Sequence, residues 1–351
     1  MNQGKVIVAP RVRDLDELSR DLCEWLRARM PEAKDLGLAN FDYPHGAGRS
    51  HETILFDATW TEGGEQRSQG MVVRIKPSDH IYYPDDLFDE QIRIMQVLRE
   101  QGSVKVAKIF WREDDPGVLG NAFFVMEKKK GRVAVTTPPY ATEGWVAEAT
   151  PVQRARFWEN GVRQLAATQL TPLDTIQFLA GADGLSGFEQ EWDKYVRFVE
   201  WVSEERRWPA LDRALADLRE RWPDNRPEGL VWGDSRIGNM MFDDDMNVIA
   251  VMDWEQPSLG GALHDLAWWV YMDRMNHGER PDRPHLEGMG SREETVALWE
   301  EVTGKSAADL DWYIDFTGLK TALLSIRTCS FMDMPQPTDE LLTQMLQRSR
   351  S

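Results

Sequence analysis

The sequence is poor in cysteine and contains no long apolar run. Its two cysteines, Cys23 and Cys329, lie far apart and in no metal-ligand spacing, so we expect two core thiols in a reducing compartment. No stretch approaches the roughly 18 apolar residues that a membrane span requires. Charged residues such as Arg11, Arg13 and Asp14 stand near the N-terminus, where a signal peptide would be apolar. These absences predict a cytoplasmic protein without a membrane partner.

Positive charge is also scarce. The chain has 41 Lys and Arg against 59 Asp and Glu, which gives a net charge of −18 at pH 7. This balance argues against non-specific binding to nucleic acid or to an anionic membrane, because both need clustered cations. It leaves room for one small basic pocket that binds a nucleotide. With 42% hydrophobic residues over 351 positions, the composition is typical of one large or two medium globular domains.

Hydrophobic periodicity divides the chain into two parts. The first part has helical spacing at 15–30 and 85–101, and strand patterns at 41–43, 53–60, 71–75, 104–111 and 121–127. Helical patterns then dominate at 151–170, 188–201, 211–222, 263–275, 293–302, 310–332 and 338–347. We therefore predict an α+β fold with a small antiparallel β-sheet N-lobe (1–127), a hinge (128–132) and a larger, mainly helical C-lobe (133–351).

One β-hairpin, predicted within 230–255, carries a group of polar residues at its ends. Asp234 follows an apolar entry and a glycine, Asn239 comes five residues later, and Asp253 ends the second strand. Two carboxylates and one amide on a rigid frame suit phosphoryl transfer, because one carboxylate can orient a hydroxyl while the other two groups hold magnesium. As alternatives, Asp234 and Asp253 could cap turns, and Asn239 could be a turn residue.

The chain resembles the aminoglycoside phosphotransferase-like family, small-molecule kinases that share the protein-kinase fold. The resemblance spans about 41–273 and is strongest in Gly233-Asp234-x-Arg236-x-Gly238-Asn239, Asp253-Trp254-Glu255 and Asp265-Leu266-Ala267. It implies a bilobal, protein-kinase-like fold, with one key helix in the N-lobe and a catalytic β-hairpin in the mainly helical C-lobe. The form of these motifs is nearer the branch related to acyl-CoA dehydrogenase-fused kinase domains.

The resemblance assigns roles to four residues of the hairpin. Asp234 is the catalytic Asp that accepts or orients the proton of the attacking hydroxyl, and Arg236 stabilises charge on the transferring phosphoryl group. Asn239 and Asp253 hold Mg²⁺. Asp265 braces the catalytic loop, a structural role. Glu255 is either a support for the metal site or an exposed acid.

The resemblance also implies a site for ATP or GTP in the first lobe. The matching positions are Gly46, Gly48, Ser50, Arg74, Glu90, Met126 and Glu127. Arg74 stands where the family has a phosphate-binding Lys, with Glu90 as its ion-pair partner. Lys76 competes with Arg74, because strand residues two apart share a face. The sequence departs from the family pattern at two positions. Trp232 replaces a His, and Gln169 lies near the place where a helix of the family often ends in Leu-His. Neither change removes a required group.

The acceptor is predicted to be a small hydroxylated molecule. Only eleven residues separate Asp253 from Asp265, too few for the activation segment of a protein kinase. The branch implies a hydroxylated acyl or other organic acceptor. Six late aromatic residues could line the acceptor pocket, although helical spacing favours core packing for most of them: Trp268, Trp269, Tyr271, Trp312, Tyr313 and Phe331. A catalytically silent nucleotide-binding module and a protein kinase remain the alternative functions.

Overall fold

The computed structural model describes residues 13–44, 52–77, 81–181, 184–277 and 284–348. By its internal contacts the chain divides into two compact units, Met1–Tyr82 with Ala107–Lys130, and Tyr83–Val106 with Gly131–Ser351. The elements, in chain order, are α1 (Leu15–Arg29), β1 (Lys34–Asp42), β2 (Glu52–Glu62), β3 (Glu65–Ile75), α2 (Phe88–Gln101), β4 (Ile109–Glu113), α3 (Pro116–Leu119), β5 (Phe123–Glu127), β6 (Arg132–Val133), α4 (Trp145–Glu148), α5 (Pro151–Thr168), α6 (Gly187–Val202), α7 (Pro209–Glu220), β7 (Met240–Phe242), β8 (Val248–Val251), α8 (Ala262–Asn276), α9 (Arg292–Thr303), α10 (Leu310–Phe331) and α11 (Asp339–Arg348), with short 3-10 helices at Leu173–Leu179 and Ile237–Asn239.

The first unit is a five-stranded antiparallel sheet in the order β1-β2-β3-β5-β4, with α1 packed against it. Side chains of β2 alternate between buried and less buried positions, as expected for a strand with one face on the core. The apolar stripe of α1 supplies Leu22 and Leu26 to the same core as Phe56 and Val73. Asp14 caps α1 by accepting hydrogen bonds from the backbone N–H groups of the first turn.

The second unit consists mainly of helices, with a small antiparallel sheet in the order β6-β7-β8. Helices α8 and α10 pack on each other and are buried over most of their length. Neither has a polar face, which is typical of helices that lie inside a core. None of the helices in the described ranges is long and apolar enough to cross a membrane.

The α+β class predicted from the sequence is confirmed, since one unit is an antiparallel sheet and the other is mainly helical. The helix predicted at 85–101 begins at Phe88 and belongs to the second unit. The strand predicted at 104–111 is wrong in its first half, because the ladder of β4 begins at Ile109. The passage between the units at Lys130 and Gly131 falls within 128–132, and the predicted lobe bounds stay a prediction.

Candidate active site

The hairpin of β7 and β8 brings the two ends of the predicted site together. Asp243 forms its turn by accepting hydrogen bonds from the backbone N–H groups of Asp245 (3.0 Å) and Asn247 (2.8 Å). At the open end, the backbone N–H of Met252 donates to the carbonyl of Asn239 (2.9 Å). The loop before β7 is thereby fixed to the chain that follows β8, one residue before Asp253.

Asp253 itself has a left-handed backbone, with φ of +64°. A non-glycine residue in this region carries backbone strain that the surrounding structure must compensate. This backbone conformation stands two residues after β8 ends at Val251, and it interrupts the extended chain there. Such strained positions occur often at functional sites.

The carboxylate of Asp234 is held by three side chains. Its Oδ2 accepts hydrogen bonds from Asn239 Nδ2 (2.6 Å) and from Arg236 Nε (3.2 Å). Its Oδ1 accepts a hydrogen bond from the indole Nε1 of Trp268 on α8 (2.8 Å). Both oxygens are therefore oriented. The predicted site residues Asp234, Arg236 and Asn239 meet here, together with Trp268, which the sequence did not assign to this group.

The charge of Asp234 is stabilised in place. Burial alone would raise the pKa of Asp234, but the charges of Arg236 and Lys320 and the hydrogen bonds from Trp268 and Asn239 lower it below its usual range. Burial likewise opposes the charge of Arg236, yet the carboxylates of Asp234 and Asp253 raise the pKa of the guanidinium. At neutral pH the site therefore holds a carboxylate and a guanidinium, both ionised and partly buried, with side chains 22% and 21% exposed.

Two glycines give the catalytic loop its shape. Gly233 has φ of +97°, and a Cβ there would meet both Cβ and the carbonyl oxygen of Gln256 at 2.7 Å. A Cβ on Gly238 would lie 2.7 Å from Nη1 of Arg236. The first glycine is needed for the backbone turn, and the second leaves space for the guanidinium that reaches Asp234.

Asp265 on α8 fixes the loop from beneath, as predicted. Its carboxylate accepts hydrogen bonds from the backbone N–H groups of Trp232 (2.6 Å) and Gly233 (3.0 Å), and it is 1% exposed. Ser235 Oγ donates to the Asp265 carbonyl (2.8 Å). Burial raises the pKa of Asp265 to about 6, while the two N–H groups oppose the rise. The hydrogen bonds of this side chain go to residues of the loop, Trp232, Gly233 and Ser235, which agrees with a structural role.

Trp232 and Gln169, the two residues that depart from the family pattern, both form hydrogen bonds to the backbone near the hairpin. The indole Nε1 of Trp232 donates to the carbonyl of Met252 (2.8 Å), next to Asp253. Gln169 Nε2 donates to the carbonyl of Leu230 (2.7 Å), at the entry to the loop. Both side chains hold the hairpin in place. Glu255 is 8% exposed, so the alternative of an exposed acid is wrong for this residue.

The residues predicted to hold magnesium offer suitable oxygen atoms. Asn239 uses its nitrogen for the carbonyl oxygen (3.0 Å) and the carboxylate of Asp234, which leaves the amide oxygen for another partner. Asp253 adds a carboxylate at the end of β8. Across the described ranges no group of three or more His, Cys, Asp or Glu could hold a metal ion. An amide and a carboxylate nevertheless fit Mg²⁺, which commonly takes one or two protein oxygens together with phosphates and waters.

The predicted nucleotide residues lie in different parts of the chain. Gly46, Gly48 and Ser50 fall outside the described residues. Arg74 lies on β3 opposite Thr53 and Phe124 and is 7% exposed. Lys76 follows the strand and is half-buried. Their competition for a phosphate stays open.

The remaining three positions are also found on regular elements. Met126 and Glu127 end β5, and the backbone N–H of Glu127 donates to the carbonyl of Lys108 (2.8 Å). Glu90 lies in the first turn of α2, an element of the second unit. The roles of these residues toward a nucleotide stay predictions.

The late aromatic residues have two different environments. Trp312 and Tyr313 lie in the core of the second unit among rings that include Phe188 and Phe316. For these two, core packing is the right interpretation. Trp268 instead contacts Asp234, and Trp269 lines a narrow cavity beside Arg236.

The sequence-based assignment misses two contributors to the site. One is Lys320, and the other is Trp268 in its role as a hydrogen-bond partner of Asp234. Trp268 follows Asp265 by three residues on α8, so helical spacing places both side chains toward the same loop. Lys320 stands between Leu319 and Ala322 in a helix without a polar face. A charged residue in such a position is the signal that marks a specific buried partner.

Comparison with known proteins agrees with this architecture. The sequence model of a family described as "Phosphotransferase enzyme family" matches residues 44–302, and the chain belongs to this family. A protein from Ralstonia eutropha, solved as a candidate aminoglycoside phosphotransferase, is 22% identical with a TM-score of 0.66 over 94% of this chain and 98% of its own. An aminoglycoside phosphotransferase solved as a ternary complex with ADP and hygromycin B is 14% identical, with a TM-score of 0.56 over 94% and 97% of the two chains. These likenesses show the protein-kinase-like fold that the sequence predicted.

A curated relative supports the branch inferred from the motifs. The probable acyl-CoA dehydrogenase IBR3 of Arabidopsis thaliana is 25% identical over 295 residues, which cover 79% of this chain. The chain spans 34% of the length of that relative. The resemblance to the phosphotransferase family, on the side related to acyl-CoA dehydrogenases, is therefore confirmed.

Proposed function

We propose that this protein is a Mg²⁺-dependent O-phosphotransferase that moves the γ-phosphoryl group of ATP or GTP to a hydroxyl of a small organic molecule. Family membership and fold support phosphotransfer at the general level. The finer proposal rests on the Asp234 carboxylate, which is ionised, oriented through both oxygens and set beside a guanidinium. A carboxylate in this state can accept the proton of an attacking hydroxyl.

In the proposed reaction the acceptor oxygen bonds to the γ-phosphorus as the bond to the nucleoside diphosphate breaks. Asp234 orients the acceptor hydroxyl and takes its proton. Arg236, 3.2 Å from Asp234 through Nε, keeps charged N–H groups next to the place where negative charge develops. Asn239 and Asp253 are the residues that would hold magnesium, which when bound neutralises the phosphate oxygens.

The acceptor class follows from the short connection after Asp253. The eleven residues before Asp265 contain the approach to α8 and no separate peptide-docking element. A small molecule therefore suits the site better than a protein substrate. The acyl-CoA dehydrogenase relative favours hydroxylated acyl compounds, and the neighbour bound to hygromycin B favours sugar-like alcohols. Both classes belong in the test.

The test is phosphorylation of a pooled library of hydroxylated metabolites with Mg²⁺ and either ATP or GTP, read by mass spectrometry. We expect one class of alcohol to gain a phosphoryl group, and Asp234→Ala to abolish the transfer while nucleotide binding persists. Asp245→Ala is the matched control, because this exposed acid lies in the turn of the same hairpin. Magnesium-dependent binding without turnover on any alcohol would identify a catalytically silent module instead. Transfer to Ser, Thr or Tyr of a protein would identify a protein kinase.

A further inference from the structure

Lys320 is a buried cation that the proposed reaction does not yet use. It lies in the middle of α10 and is 7% exposed. Its ammonium group donates a hydrogen bond to the carbonyl of Gly233, the residue before Asp234. The same Nζ atom stands 4.0 Å from the ring centroid of Trp268. Burying an ammonium group costs free energy unless the group is paired and hydrogen-bonded. The two contacts offset part of this cost, and a buried cation at this position therefore calls for a specific role.

Both contacts of Lys320 lead to the catalytic carboxylate. The carbonyl of Gly233 belongs to the peptide group that joins Gly233 to Asp234, and Gly233 has the left-handed φ that sets the direction of this peptide. Trp268, beneath the ammonium, donates its indole N–H to Oδ1 of Asp234 at 2.8 Å. Lys320 therefore acts on the backbone of Asp234 from one side and on its side-chain partner from the other.

We propose that Lys320 is a positioning residue of the phosphotransfer site, which fixes the Asp234 carboxylate through the Gly233 carbonyl and the Trp268 ring. The inference rests on the proposed function for its catalytic consequence, but not for its structural one. Lys320 has no contact with the reacting atoms in this role. It keeps Oδ1 of Asp234 within reach of an acceptor hydroxyl, and a displacement of about 1 Å in such a group can lower the rate roughly 10²-fold.

The ammonium form of Lys320 depends on its charged neighbours. Burial lowers the pKa of Lys320 to about 8, and the carboxylates around it oppose this decrease. The charged and titratable groups that face it come from the catalytic loop, from α6 and from α8: Asp234, Glu191, Lys194, His264 and Asp265. Since a lysine is charged below its pKa, Lys320 is largely charged at pH 7 and loses its proton as the pH rises through about 8. The positioning should weaken over the same interval.

The kinetic test uses hydrolysis of MgATP, with water as the acceptor, because this probe requires no knowledge of the natural alcohol. For Lys320→Met we expect kcat to fall roughly 10²-fold, with KM for ATP nearly unchanged. Lys320→Arg should recover part of kcat and extend activity to higher pH, because a guanidinium stays charged there. Lys305→Met is the matched control, since Lys305 Nζ also donates to a backbone carbonyl (Glu228, 2.7 Å) but on the surface. A large rise in KM with unchanged kcat would overturn the proposal.

Crystal structures of the wild type and of Lys320→Met test the inference without any activity. We expect the Gly233 peptide to turn and the hydrogen bond from Trp268 to Asp234 to open beyond hydrogen-bond distance. If both features superimpose on the wild type, Lys320 does not position Asp234. If Lys320→Met does not fold, the same comparison is made with Lys320→Gln and Lys320→Arg. A wild type that neither hydrolyses nor transfers phosphate would refute the proposed function, while the structures would still decide the role of Lys320.

Discussion

Replacing Asp265 by Asn tests how the loop before the hairpin is held. The carboxylate accepts one hydrogen bond at each oxygen, from the N–H groups of Trp232 and Gly233, and is 1% exposed. Asn has the same shape but offers one acceptor, so its NH₂ group would face the other backbone N–H. Losing a hydrogen bond to a charged group and leaving a buried donor unsatisfied costs about 3 kcal/mol. Burial acts in the opposite direction: it raises the pKa of Asp265 to about 6, so the ionised carboxylate carries a penalty of about 3 kcal/mol at pH 7.5 that a neutral Asn lacks. We therefore expect Asp265→Asn to change the free energy of unfolding of the second unit by less than about 1 kcal/mol, and to lower kcat roughly 10-fold, because the loop that carries Asp234 is then held by one acceptor instead of two.

The assays are urea unfolding and steady-state hydrolysis of MgATP at pH 7.5, where Asp265, with a pKa of about 6, is ionised. The matched control is Asp339→Asn, because Asp339 also accepts from a backbone N–H, that of Ala210 at 2.6 Å, but its side chain is 37% exposed. We expect the control to leave kcat unchanged and to cost less than about 1 kcal/mol of unfolding free energy, since Asp339 lies outside the loop and water can replace a lost partner at the surface. Equal kcat of Asp265→Asn and wild type would refute the idea that Asp265 holds the loop in its active conformation.

Three further predictions concern single groups. Gly238→Ala should lower kcat roughly 10-fold, because the new Cβ would lie 2.7 Å from Nη1 of Arg236 and would displace this side chain from Asp234. The same Cβ would lie 3.0 Å from the carbonyl oxygen of Ala134, so some loss of stability should accompany the loss of activity; steady-state kinetics and thermal unfolding measure the two effects. Asp253→Ala should weaken nucleotide binding in the presence of Mg²⁺ but not in its absence, which calorimetric titration can distinguish. Burial lowers the pKa of His264 to about 4 against roughly 6.5 in the unfolded chain. The unfolded chain therefore binds the proton first, and this group contributes stability above pH 6.5 that is lost as the pH falls toward 4, by about 3 kcal/mol; His264→Gln should show a flatter dependence of unfolding free energy on pH in that range.

Local patterns in the sequence predict the elements that carry the site, because their signals lie within a few residues. The hairpin is such a case, since its turn is closed by Asp243, whose carboxylate binds the N–H groups of Asp245 and Asn247. The connection between β4 and β5 shows the limit. Asp115 caps a short helix there and Pro116 occupies its first position, which is a start signal for a helix. Asp and Pro are also typical of turns, so these two residues alone do not distinguish a helix of one turn from a β-turn.

The partners of Asp234 could be predicted only in part, for a physical reason. Arg236 and Asn239 lie two and five residues away, so the motif itself brings them to the carboxylate. Trp268 is 34 residues from Asp234, and Lys320 is 87 residues from Gly233. Both belong to helices that are buried all round, in which hydrophobic periodicity does not indicate which face meets the loop. Their contacts are set by the packing of α8 against α10, which no local pattern encodes.

The two oxygens of Asp234 differ in the number of groups that they bind, and this difference gives the site a direction. Oδ2 accepts from both Asn239 and Arg236, whereas Oδ1, among the residues that the structure describes, accepts only from Trp268. A carboxylate oxygen has about two lone-pair positions, so Oδ2 is filled and Oδ1 keeps one for a further donor. An acceptor hydroxyl that gives its proton to Asp234 must then approach Oδ1, beside the indole of Trp268. Trp268 would thus orient the base and form one wall of the acceptor site, and Lys320 would hold that wall in place.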